Sequence, residues 1–470
     1  MKKIFALLLM LALALSLFSC SGEVVENGDE VNPEEEVPAV DMNGFVSKIL
    51  QHDVVEKPFY FMQDSTYSDL LNDRVSAIET RFNCDIQFEQ QEPTGLRTYI
   101  QTNLAGGINV GEMVYMSGSN DQFPLSVGGY FYPLTDLNEI IDYEDASKYG
   151  PANLQEACMY QGVPYGVIPV KWPTKAQAGN VGVVFMINEE MVKQYNLVDP
   201  RDLYEQNKWT YEALEELTPS FNIVEGEKDI KTFFANKRSF IEGLMSSVGM
   251  KMVTKDDSGK VIAGFNTQNV IDVLNWGHKY LNDFSQNITL ISTWTAHESL
   301  IAGDCTMALY ETNQIPTIAK DMKDFGIVPF PISPYIDKDQ QTFYTGTFDT
   351  LSIFANAENP EFDAYIIDRL FESFTGYETE EDMIGLYDKT MFFDKRDINL
   401  YMNFFKKIIY YYHSQSGHQF MTNIGEQLTS KTGTEIIGKI AKVNDKLIEE
   451  YMAANYEYVS THMDSIENQE

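Results

Sequence analysis

Residues 70–89 read Leu-Leu-Asn-Asp-Arg-Val-Ser-Ala-Ile-Glu-Thr-Arg-Phe-Asn-Cys-Asp-Ile-Gln-Phe-Glu. Leu70, Leu71, Val75, Ile78 and Phe82 recur at helical spacing, and residues 84–89 alternate as a half-buried strand does. On the N-terminal side, residues 57–62 (Lys-Pro-Phe-Tyr-Phe-Met) read as a short buried strand and residues 63–69 as a turn with helix N-cap chemistry. On the C-terminal side, residues 96–104 read as a helix and residues 111–116 as a third strand. A β-α-β-α-β rhythm calls for a mainly parallel sheet covered by helices. In such sheets ligands lie outside the carboxyl ends of the strands. The loops after the first and third strands, residues 64–67 and 117–122, are therefore the interesting ones.

The α/β rhythm resumes after residue 160. Residues 162–167 read as a hairpin or crossing strand and residues 181–187 as a strong strand. Helices start after Asn188 and Thr210, the latter a predicted N-cap with Glu212 in the first turn. Residues 252–265 predict a hairpin around Asp256-Asp257-Ser258-Gly259. Thr295 and Glu298 have capping-box spacing. Further strands are expected at 306–309, 325–328 and 351–355, and mostly helix from residue 361 onward, with the aromatic run 408–412 inside it.

The N-terminus reads as an export signal. Lys2 and Lys3 precede an apolar run over residues 4–18, which is shorter than the about 20 residues a permanent span needs. Leu17-Phe18-Ser19-Cys20 resembles a bacterial lipobox, which implies cleavage after residue 19 and lipidation of Cys20. Residues 20–43 then hold eight acids, no Lys or Arg and no aromatic residue, the composition of an extended tether. The net charge of −36 argues against nucleic acid and against anionic lipid as partners. Cys84, Cys158 and Cys305 are widely spaced without a CxxC and read as small buried hydrophobes. No G-x-S-x-G or H-E-x-x-H occurs, since His297-Glu298 lacks a second His. Residues 433–440 space glycines and a lysine like a P-loop, but Ile440 replaces the required hydroxyl residue. Nothing in the pattern calls for a cofactor, a metal or catalysis.

Six segments in order resemble the family 1 extracellular solute-binding proteins of ABC importers. They are Gly129-Tyr130-Phe131-Tyr132-Pro133-Leu134-Thr135-Asp136, Gly162-Val163-Pro164-Tyr165-Gly166-Val167-Ile168-Pro169, Val184-Phe185-Met186-Ile187-Asn188-Glu189-Glu190, Trp209-Thr210-Tyr211-Glu212-Ala213-Leu214, Ile301-Ala302-Gly303-Asp304-Cys305-Thr306-Met307-Ala308, and Phe325-Gly326-Ile327-Val328-Pro329-Phe330-Pro331. Asn188 is followed by two acids where the family usually has a Lys, and residues 346–349 hold less glycine than is common. The resemblance implies a two-lobed periplasmic-binding-protein-like fold, each lobe a mainly parallel sheet flanked by helices. Residues 44–166 with 350–378 would form one lobe, and 167–349 with 379–470 the other. Chain crossings are expected near 165–169, 345–350 and 376–380. It also implies a monomer, anchored outside the cytoplasmic membrane, that captures a small solute, usually a sugar, for permease subunits.

Sugars present flat C–H faces and rings of hydroxyls, so their sites pair aromatic platforms with polar groups. Candidates on the expected cleft loops are Asp64, Tyr67, Asn120, Asp121, Trp172, Tyr310, Glu311, Phe348 and Asp349. Plainer roles fit several of them: Asp64 as a helix cap, Tyr67 and Tyr310 as core, Asn120 as a loop brace. Trp209, Trp276 and Trp294 read as packing residues. Two other functions share these features, a secreted glycoside hydrolase with two carboxylates among the 70 acids, and a surface sensory or adhesion receptor of the same fold.

Overall fold

The helical spacing of residues 70–82 is realised as one helix that buries Leu71, Ile78 and Phe82. In the computed structural model, which describes residues 40–51, 66–91, 95–149, 155–169, 182–251, 253–255, 261–345, 348–379, 391–410 and 414–439, this helix, α1 (Thr66–Phe82), follows strand β1 (Phe45–Gln51). Asn83, with φ of 52°, turns the chain from α1 into β2 (Cys84–Gln90), a left-handed conformation that Asn tolerates. Helix α2 (Leu96–Ala105), strand β3 (Met113–Ser117) and helix α3 (Gly118–Val127) follow. β1, β2 and β3 are parallel, with Phe45 opposite Cys84 and Ile49 opposite Met113. Leu50 of β1 and Val114 and Met116 of β3 join Leu96, Ile100 and Leu125 in one apolar cluster.

After the short antiparallel pair β4 (Met159–Tyr160) and β5 (Val163–Pro164), Val167 bridges to Leu351. A second sheet then begins at β6 (Val183–Asn188), every residue of which is buried. An unbroken apolar strand is what a sheet covered on both faces needs. Asn188 caps α4 (Glu189–Gln194), Asp199 caps α5 (Pro200–Glu205) and Thr210 caps α6 (Tyr211–Phe221). Next come β7 (Ile223–Glu225), β8 (Lys228–Asn236), α7 (Lys237–Ser247), and the hairpin of β9 (Val253–Lys255) with β10 (Val261–Ala263). Helix α8 (Gln268–Asp283), β11 (Ile288–Ile291), α9 (Ala296–Ile301), β12 (Cys305–Glu311) and β13 (Phe325–Pro329) follow. The second sheet runs β11-β8-β12-β6-β13. β11, β8 and β12 are mutually parallel, and β6 is antiparallel to both its neighbours.

Past β14 (Phe343–Thr345), strand β15 (Asp349–Ile353) returns to the first sheet, antiparallel to β3. The first sheet therefore has the order β15-β3-β1-β2. Helices α10 (Pro360–Leu370) and α11 (Lys395–Phe405), strand β16 (Ile408–Tyr410) and helix α12 (Ser414–Gln427) end the labelled elements.

The second core is aromatic. Phe185 stacks on Phe330 with centroids 5.7 Å apart, and Trp209 donates its indole N–H to the Pro329 carbonyl at 2.7 Å. Trp276 stacks on Tyr211 at 3.7 Å and donates to Glu215 at 2.8 Å. Both tryptophans are thus packing residues. Arg201 is buried between Asp397 at 2.9 Å, Asp199 at 2.7 Å and Glu189 at 2.7 Å, and Asp397 also accepts from the Ile327 amide at 2.9 Å. Gly326, in the Phe-Gly-Ile-Val-Pro segment, leaves the room that this guanidinium occupies. The carboxylates of Glu189, Asp394 and Asp397 come within metal-ligand reach of one another, but Arg201 supplies positive charge to two of them.

Four expectations change. The first strand is β1, in a stretch that had no assigned element, and residues 57–62 lie outside the described residues. Residues 118–122 form the start of α3 rather than a loop. Thr295 makes no capping bond, because its hydroxyl pairs with that of Thr293 at 2.9 Å. Residues 408–410, expected in a helix, form β16 and pair in parallel with β14, as their β-branched and aromatic side chains favour. Residues 433–439 are helical, so the P-loop-like spacing does not form a phosphate loop. No helix among the described residues is long and apolar enough to cross a membrane.

Two stability predictions follow from the buried charges. Removing one partner of a buried ion pair strands the other, at a typical penalty of about 3–5 kcal/mol. Arg201→Ala, which removes the cation shared by Asp397, Asp199 and Glu189, should lower the unfolding free energy by roughly that amount, read by urea denaturation. Asp363 is fully buried and accepts from Ser47 Oγ at 2.6 Å. Burial pushes its carboxyl up to about 8, against the Ser47 bond and with help from Glu112. The unfolded chain releases this proton near pH 4. From about pH 4 to 8 the folded chain therefore holds a proton that the unfolded chain has lost, and stability falls as pH rises. Asp363→Asn should remove that decline, so its melting temperature gains on the parent at pH 8 relative to pH 4.

Candidate ligand-binding site

Strands β8, β11 and β12 run in the same direction and end at Asn236, Ile291 and Glu311. These are the carboxyl ends where open α/β sheets place ligands. Asn236 joins two of the loops that follow. Its side-chain amide donates to the Thr293 carbonyl at 3.0 Å, and its Oδ1 accepts from the Arg238 amide at 2.9 Å as the N-cap of α7.

Arg238 organises the rest. Its guanidinium lies 4.3 Å from the centroid of the Trp294 ring. Nε is 3.0 Å from Glu242 Oε1, and Nη2 donates to Glu311 Oε1. Glu311 Oε2 accepts from Asn313 Nδ2 at 3.1 Å. Tyr310 meets Trp294 edge-on at 6.0 Å and His297 at 5.2 Å. Arg238, Glu242, His297, Tyr310 and Glu311 are all buried, whereas Trp294 is 43 % exposed. Burial, with Glu311 adding to it, raises the Tyr310 phenol, so it stays protonated. Burial lowers the His297 pKa, which keeps the imidazole neutral near pH 7. His297 Nδ1 and Asn313 Oδ1 are buried and have no hydrogen-bond partner within the protein. Buried polar atoms are rarely left so without a functional reason. The group combines an open aromatic face with hydrogen-bonding atoms beside it, which suits a ligand carrying both C–H faces and hydroxyls.

Of the residues predicted from sequence, Tyr310 and Glu311 come together here. Three others lie at the end of β3 in the first sheet. Asp349 is buried and accepts from Tyr115 Oη at 3.1 Å. Phe348 is buried, and its carbonyl accepts from the Gly118 amide at 2.8 Å. Asp121 is 3.8 Å from Arg97 Nε. Asn120 lies in α3 and Tyr67 in α1, and their side chains are outside the described part. Asp64, Trp172 and Cys20 lie outside the described residues. Sequence reasoning missed Arg238, Glu242 and Asn236, and assigned Trp294 to packing. The available signal for Asn236 and Arg238 was the end of a strand at 228–236 running directly into a helix, a junction that was not read.

A family model for bacterial extracellular solute-binding proteins matches residues 73–364. No curated protein matches the chain in sequence. Several solved structures share the fold at low identity. The GacH receptor of Streptomyces glaucescens GLA.O, solved unliganded and with acarbose, is 14% identical with a TM-score of 0.59, over 87% of this chain and 99% of that one. UspC of M. tuberculosis is 12% identical with a TM-score of 0.60, over 86% and 100%. The maltose-binding periplasmic protein MalE of Listeria monocytogenes, in complex with maltose, is 12% identical with a TM-score of 0.57, over 87% and 99%. The family match runs from within α1 to within α10 and so takes in both sheets: the chain belongs to the bacterial extracellular solute-binding proteins.

Proposed function

We propose that this protein captures an oligosaccharide between two lobes and hands it to the permease of an ABC importer, without chemically changing it. The observation that carries this reading is Trp294, an aromatic ring left 43 % exposed at the carboxyl ends of parallel strands while Arg238, Glu242 and Glu311 beside it are buried. The C–H face of a sugar ring is a fitting cover for such an aromatic face. Fold relatives solved with acarbose and with maltose support the choice of ligand class.

In this reading the lobes comprise residues 44–166 with 350–378 and residues 167–349 with 379–470. The Val167–Leu351 bridge and the step from β14 to β15 agree with chain crossings near 165–169 and 345–350. Tyr310 and Glu311 would line the cleft from one side and Asp121, Phe348 and Asp349 from the other, with Asp64, Tyr67, Asn120 and Trp172 on the adjoining segments. Closure would bury the ligand, and the ligand would favour closure only by binding the closed form better. The chain would act as a monomer, held outside the cytoplasmic membrane by lipid on Cys20 and by the acidic tether of residues 20–43.

The test is a thermal-shift screen of neutral oligosaccharides, since a ligand specific to the folded state raises its melting temperature. For the best hit, Trp294→Ala should weaken binding by tenfold or more, about 1.4 kcal/mol. Its own melting temperature should fall, because the ring also covers the buried Arg238 guanidinium, so binding is compared at a temperature where both proteins are folded. Breakdown of the oligosaccharide, or no shift with any of them, would overturn the proposal.

A further inference from the structure

Resting on that reading of the Trp294 site, we infer that the site accepts uncharged saccharides and rejects those bearing carboxylate, sulfate or phosphate. The group that would ordinarily recognise an acidic sugar is present, since Arg is the side chain best shaped for bidentate capture of an oxyanion. Arg238, however, is enclosed by its own partners. Its Nε faces Glu242 at 3.0 Å, Nη2 donates to Glu311, and its plane lies against Trp294 at 4.3 Å. Two carboxylates against one guanidinium leave this buried group with one excess negative charge.

The surrounding charges point the same way. Lys237, next to Arg238 in sequence, is paired with Glu426 at 2.7 Å. His297 is held neutral by burial, and Glu298 is close enough to raise the Tyr310 phenol. An anion stacked on Trp294 would lie over a buried group of net negative charge, and like charges repel. The chain as a whole, at −36, adds a repulsive field at longer range. A hydroxyl, by contrast, can donate to Asn313 Oδ1 or hydrogen-bond with His297 Nδ1, two buried atoms beside the ring that make no hydrogen bond within the protein.

The experiment uses the mature protein and calorimetry. Neutral tetrasaccharides of the malto, cello, xylo and manno series are compared with tetragalacturonate and tetramannuronate at low salt. At least one neutral probe should bind a hundredfold or more tighter than either acidic one. Raising the ionic strength from about 0.02 M to about 0.5 M should narrow that gap, because the Debye length falls below the size of the site. Glu311→Gln, checked by circular dichroism for a native fold, should narrow it by about tenfold at low salt. Should Glu311→Gln not fold, the salt series on the parent protein decides alone. An acidic probe that binds as tightly as the best neutral one would overturn the inference and leave the saccharide reading standing. A gap that ignores both salt and Glu311→Gln would overturn the inference too. Binding by neither class would overturn the saccharide reading, and the inference with it.

Discussion

The buried guanidinium of Arg238 is the constraint around which the candidate site is arranged. An ionised group can be taken out of water only if opposite charge and hydrogen-bond partners meet it there. Those partners come from separate places: Glu242 one turn further along α7, Glu311 at the end of β12, and the Trp294 ring from the loop after β11. Meeting the electrostatic demand of one side chain therefore fixes the relative positions of three strand ends. Asn236 completes the tie by bonding the Trp294 loop and the first turn of α7 at once. The open face of Trp294 is a consequence, since the guanidinium occupies one side of the ring and leaves the other to solvent.

The same logic recurs at the opposite flank of the second sheet, where no ligand is implicated. Arg201 draws Glu189, Asp199 and Asp397 together from α4, the start of α5 and α11. Here the Ile327 amide takes up a further carboxylate oxygen. Comparing the two clusters separates what buried charge does for the fold from what it does for a site. Both lock elements distant in sequence, and the Arg238 cluster also carries an exposed ring against its guanidinium at the carboxyl ends of parallel strands.

Much of the fold could be read from short-range patterns, because the physics that sets those elements is local. The spacing of Leu71, Ile78 and Phe82 is a helix pattern wherever it occurs, and the buried run of β6 can be satisfied only in a covered sheet. Thr210 and Asn188 cap helices by bonds within three residues of themselves. The failures were equally physical. Residues 408–410 form a strand only because residues 343–345, far away in sequence, offer it an edge. Thr295 has the spacing of a capping box, but a hydroxyl two residues earlier competes for its bond. The site was half legible. Tyr310 and Glu311 could be placed from the end of a predicted strand. Trp294 could not, because whether a tryptophan is core or platform depends on what lies beneath it, and Arg238 lies 56 residues earlier in the chain.

Helix α12 connects the site to the rest of the molecule. It packs against α7 and also approaches α3 beside the first sheet. On the α7 side, Glu426 accepts from Lys237 Nζ at 2.7 Å and from Ser292 Oγ at 3.3 Å. Those two residues flank Arg238 and Trp294. The approach is close enough that a Cβ at Gly425 would lie 2.8 Å from the Lys237 carbonyl oxygen, so a bare glycine is needed there. α12 thus touches both the helix that carries Arg238 and α3 beside the first sheet. Packed interiors transmit displacements rather than absorbing them, because they contain few voids to close. α12 is therefore a shared packing element between the first sheet and the helix that carries Arg238.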